Sequence, residues 1–159
     1  MRKCTIAAVI VSMITAVLFC LNSCEDKGDV LALCRSETGE VIELFEVEEG
    51  TVFSVEFIHS VNKSPVKEIY VIKDSKIFAD STEYYAFGAG VQTELEEGQT
   101  LSYGEDGSMI VSGFDMEFPT LKFVVGSVYD HILEISGESI SLTELCGKGE
   151  KVYFEIRKG

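Results

Sequence analysis

Tryptophan is absent from this chain of 159 residues, and proline and histidine occur only twice each. No Cys-x-x-Cys pair is present, which excludes a zinc ribbon or a thioredoxin-like redox site. The chain also lacks His-Glu-x-x-His, Gly-x-Ser-x-Gly and an EF-hand loop. Gly137-Glu138-Ser139-Ile140-Ser141 comes near the second of these but has no closing glycine. Basic residues are scarce too, with 13 Lys and Arg against 27 Asp and Glu. A net charge of −14 repels phosphate backbones, so nucleic acid is not an expected partner. The deficit is local as well: no Lys or Arg stands between Ile77 and Leu121, where nine acids do. That stretch reads first as a solvated acidic face, with docking of a basic partner or a cation as the alternative.

What is present is concentrated at the front. Arg2 and Lys3 precede an uncharged run from Cys4 to Leu21, followed by Leu21-Asn22-Ser23-Cys24 and then Glu25 and Asp26. A basic end, an apolar stretch and small residues at a cut site are the parts of a secretory signal. Leu21, Ser23 and Cys24 also fit a bacterial lipobox, in which lipid is attached to the cysteine before cleavage; Asn22 is bulkier than usual there. The alternative is an uncleaved anchor, since the run approaches the roughly 20 residues that span a bilayer. Either reading makes residues 1–23 a signal or anchor helix. Residues 24–159 are then one extracytoplasmic domain at the cell membrane, with 27 acidic and 11 basic residues and a net charge of −16.

Cys4 and Cys20 fall in the leader and Cys24 is the lipid site, which leaves Cys34 and Cys146. In an exported domain these two invite a disulfide; the alternative is two buried thiols packing as small hydrophobes.

Apolar residues recur every second position, and turn signals punctuate the chain every few residues. The pattern predicts about ten short strands, including Val41–Val47, Thr51–Ser60, Val66–Lys73, Lys76–Ala79, Glu83–Phe87, Ser108–Gly113, Asp130–Ser136 and Ser139–Leu145. An all-β antiparallel sandwich or closed barrel follows, with only Val91–Leu101 left for a short helix.

Phe53, Val55, Phe57 and His59 share one face by alternation, as do Tyr129, His131, Leu133 and Ile135. Each imidazole thus sits on an apolar stripe, either as a satisfied structural group or as a ligand contact. Asn62 to Pro65 is a natural hairpin connection that returns Glu68 antiparallel to His59 and near it. Such a pair would be a structural ion pair or a polar clamp. Adjacent strand residues point oppositely, so His59 is poorly placed as a base for Ser60 unless the strand ends between them. Gly88-Ala89-Gly90 follows Tyr84, Tyr85 and Phe87; without a third glycine or a lysine it marks a tight bend rather than a nucleotide loop. No residue set demands a metal or a cofactor.

His59-Ser60-Val61, Pro65-Val66, Glu68, Phe87-Gly88-Ala89-Gly90 and His131 with Leu133 together resemble the bacterial domain of unknown function 1850 family, over about Val30 to Ile156. Val91-Gln92 departs from the Leu-Pro common after the two glycines of that family. The resemblance implies a small membrane-anchored domain associated with TAXI-type tripartite ATP-independent periplasmic transporters. Its partners would be their membrane subunits or a solute-binding protein. It also marks His59, Ser60, Glu68, Gly88, Gly90 and His131 as binding candidates, with Pro65 as a further shared position. The sequence-based expectation is therefore a tethered accessory binding domain, with an envelope hydrolase using His59 and a carboxylate, or a structural surface module, as alternatives. Replacing Cys24 by Ser is expected to abolish lipid labelling and cleavage; normal processing of that variant contradicts the lipobox.

Overall fold

The computed structural model describes residues 28–86 and 94–158. The expected signal or anchor segment, Cys24, Gly88 and Gly90 all lie outside those residues. Along the described chain run β1 (Val30–Arg35), β2 (Val41–Glu46), β3 (Val52–Ile58), β4 (Pro65–Lys73), β5 (Lys76–Tyr84) and β6 (Thr100–Tyr103). They are followed by β7 (Met109–Phe118), β8 (Leu121–Val124), β9 (His131–Ile135), β10 (Glu138–Ser141), the short helix α1 (Leu142–Cys146) and β11 (Lys151–Arg157). No helix among the described residues is long and apolar enough to cross a membrane.

The strands form two antiparallel sheets, one of four strands in the order β2-β1-β11-β8 and one of seven in the order β10-β9-β3-β4-β5-β7-β6. Among the described residues each sheet has two edge strands, so the closed-barrel alternative is set aside in favour of a sandwich. The alternation seen in the sequence builds the core between them. Phe53 stacks on Tyr70 at 5.2 Å between ring centres and packs against Phe154 of the facing sheet at 5.8 Å. Phe123 sits edge-on to both Phe154 and Tyr70. Leu31, Leu33, Leu133 and Val152 fill the remaining space with no exposed surface.

Turn chemistry sets the register of two hairpins. Asp74 and Ser75 between β4 and β5, and Ser136 and Gly137 between β9 and β10, all have positive φ. Two-residue turns of that hand match the right-handed twist of the strands they join. β5 is one strand where the sequence predicts two, because a bulge at Asp80 absorbs an irregularity against both neighbours. The helix also falls elsewhere than expected: Leu142–Cys146 is helical although Ser139–Leu145 reads as a strand. Ser141 Oγ accepts the Glu144 backbone N–H at 3.0 Å, the Ser-x-x-Glu start signal that the alternation obscured. β6, meanwhile, occupies the end of the stretch that could have been helical.

The connections sort to two ends of the sandwich. The described chain enters β1 at the end that also carries the β2–β3 connection, the Asp74-Ser75 turn and the β7–β8 connection. The β3–β4 loop (59–64) and the β8–β9 loop (125–130) lie at the other. Replacing Phe154 by Ala removes a fully buried ring touching both sheets and is expected to cost about 3–5 kcal/mol in urea unfolding. A loss below about 1 kcal/mol would contradict this packing.

Candidate functional site

Register brings most of the sequence-derived candidates to the far end, but not into one cluster. Strand β3 ends at Ile58, opposite Pro65. The His59 backbone N–H donates to Ser64 O and its carbonyl accepts from Lys63 N–H, both at 2.9 Å, which closes the loop. Nδ1 of His59 accepts the N–H groups of Val61 at 3.3 Å and Asn62 at 3.4 Å. The imidazole therefore caps its own turn, and the proton of its neutral form sits on Nε2.

His131 does the same for the neighbouring loop. It opens β9 opposite Phe57, stacks on that ring at 5.2 Å, and meets Phe123 edge-on. Its Nδ1 accepts Gly126 N–H at 3.0 Å. A side chain at Gly126 would collide with the Tyr129 carbonyl, so only glycine lets the loop fold this tightly. Burial lowers the His131 pKa below the usual histidine value, and the charge of Asp130 only partly offsets this. Lys63 Nζ lies 5.7 Å from the centre of the Tyr129 ring and ties the two loops together. Their tips are apolar and in solvent: Val61 is 66% exposed and Val128 81%.

Glu68 stands apart from both histidines. The hairpin pairs it with Val55, not His59, and among the described residues no hydrogen bond or ion pair joins them. The register thus corrects the expected His59–Glu68 pair. Glu68 instead faces the interior with Tyr70, two residues on, whose hydroxyl donates to Oε2 at 2.8 Å. Burial raises the Glu68 pKa, against the lowering effect of that hydrogen bond. The same surroundings push the Tyr70 phenol far above its normal range. Ser60 is exposed and, among the described residues, bonded to neither His59 nor Glu68, although β3 does end before it. No hydrolytic triad is assembled from these groups.

Some working residues escaped the sequence reading. Asp130 accepts the Ser141 hydroxyl and the backbone N–H groups of His131 at 2.7 Å and Thr143 at 2.9 Å, which clasps the loop to α1. Burial works against its ionised form, but these bonds outweigh it and lower the pKa. Tyr70 was legible as the same-face neighbour of Glu68; Asp130 had no local signal, because Ser141 and Thr143 are brought to it by the β9–β10 hairpin. Tyr129, predicted on the β9 stripe, lies in the loop and is 44% exposed. Cys34 and Cys146 are free, buried thiols. Cys146 packs in the core, whereas Cys34 points to the outer side of its sheet, 3.4 Å from an Arg157 donor. Among the described residues no three His, Cys, Asp or Glu side chains converge as metal ligands.

Residues 53–142, more than half of the chain, match the domain of unknown function family DUF1850. The chain belongs to the DUF1850 family. No curated protein and no solved structure matches it. The DUF1850 match is shorter than the Val30–Ile156 resemblance, and it contains β8 and essentially the whole seven-stranded sheet. Glu68, His59 and His131 of this DUF1850 domain all fall within it, while β1, β2 and β11 do not.

The two perturbed groups titrate with opposite signs. A raised Glu68 pKa means stability that is present below the ordinary value near 4.5 and lost as pH rises through the folded value. Glu68→Gln, which keeps an acceptor for Tyr70, is expected to raise the urea midpoint at pH 7, with the gain vanishing towards pH 4. A lowered His131 pKa means stability present above about 6.5 and lost as pH falls through the folded value. His131→Gln is expected to flatten the fall in stability below pH 6.5; unchanged pH profiles in both variants contradict the assignment.

Proposed function

We propose that the chain is a membrane-tethered, extracytoplasmic binding domain that assists a TAXI-type tripartite solute transporter. The far end of the sandwich is its contact surface. The observation that carries this reading is the shared construction of that end. Two imidazoles are spent on folding two adjacent loops, and those loops expose Val61, Val128 and Tyr129. Exposed apolar residues held by fixed polar contacts suit partner binding better than chemistry on a small substrate.

The tether fits this arrangement. Cys24 stands four residues before Gly28, so lipid there lies within about 14 Å of the entry end of the domain. The histidine-built loops then point away from the bilayer, towards a solute-binding protein or the outward surface of the transporter's membrane subunits. Attachment to the same membrane raises the effective concentration of such a partner, and a weak contact suffices. The transporter as partner is what the family resemblance implies.

The test is solute uptake in cells that express the transporter with Val128→Asp/Tyr129→Ser in place of the wild-type domain. Uptake is expected to fall about fivefold or more, the effect of losing roughly 1 kcal/mol at an interface, while the protein stays folded and membrane-located. Unchanged uptake with a folded variant overturns the proposal.

A further inference from the structure

A groove of about 530 Å³ opens on the outer face of the four-stranded sheet. The register of β8 on β11 sets Lys122 opposite Tyr153 and Val124 opposite Lys151. Residues two apart on a strand share a face, so these four side chains form one outward block. Ser36 and Thr120 line the groove as well. Glu155 is its one acid, and its carboxylate is already engaged by Arg157 at 2.7 Å. Among the described residues neither Lys122 nor Lys151 has an ion-pair partner.

In a chain of net charge −14, two uncompensated ammonium groups on one groove are an exception to the general field. They repel each other when the groove is empty, and an anion between them removes that repulsion. The floor is partly apolar, since Val124 is 59% exposed and the Tyr153 ring lies diagonally beside it. A second groove of about 580 Å³ on the outer face of the large sheet lacks this property, because its one lysine, Lys67, is bound by Glu134.

We infer that the Lys122–Lys151 groove binds a small organic anion. Its carboxylate sits between the two Nζ atoms and its apolar body lies on Val124 and the Tyr153 ring. The Ser36 and Thr120 hydroxyls offer hydrogen bonds at the margins. A volume of this order is that of a site for one small molecule rather than for a protein surface. The inference stands on its own residues, whether or not the transporter reading holds.

Benzoate tests it, with benzamide as the neutral isostere, by titration of isotope-labelled full-length protein in detergent. Saturable backbone shifts at Lys122, Val124, Lys151 and Tyr153 are expected with benzoate, and at least tenfold weaker binding with benzamide. Lys122→Gln and Lys151→Gln should each weaken benzoate about tenfold, the effect of one lost ionic contact, without changing the melting temperature. Lys148→Gln, an exposed lysine outside the groove, should leave the affinity unchanged. No saturable shift, equal binding of benzamide, or unaltered affinity in both groove variants overturns the inference.

Discussion

The contact of Phe53 with Tyr70 on one side and Phe154 on the other is the constraint from which the rest of this domain follows. Two sheets of unequal width meet there, and large rings are the side chains that bridge the roughly 10 Å between packed sheets. Placing Tyr70 in that stack fixes where its hydroxyl ends. The oxygen needs a partner in the interior, and Glu68 supplies one. A carboxylate is a costly choice for that task, because burial disfavours its ionised form. The same ring packing continues through Phe123 to His131 and Phe57, so aromatic contacts run from the core to the base of the far loops.

Much of the fold was legible because its strands alternate and its turns use residues that tolerate positive φ. Asp74-Ser75 and Ser136-Gly137 are examples in which local chemistry and global register agree. The helix at Leu142 was obscured because Ile140 and Leu142 continue the alternation of a strand, and only the Ser141 cap and the three-residue step to Leu145 depart from it. The continuity of β5 was hidden by its bulge, since a skipped residue breaks period two without breaking the strand.

The candidate site was legible by residue type but not by relation. Both histidines and Ser60 sit at one end of the sandwich, whereas Glu68 lies further along its strand. The expected His59–Glu68 pair depended on where the hairpin closes, and closure at Ile58–Pro65 moves the glutamate three pairs further along the ladder. A single-residue difference in register reassigns every cross-strand neighbour, which periodicity alone does not fix. Asp130 was invisible for a related reason: the hairpin and the helix cap that use it must form first.

The last described strand, β11, has a place in the middle of a sheet. β11 pairs β1 on one side, Val30 with Arg157 through Arg35 with Val152, and β8 on the other. Until Lys151–Arg157 has been synthesised, the first strand and the eighth have no common neighbour, and the inner face of the large sheet has no complete cover. Contacts of such long sequence separation form late and cooperatively. Closure of the four-stranded sheet therefore waits on strands drawn from both ends of the domain, which locks as a whole rather than piece by piece.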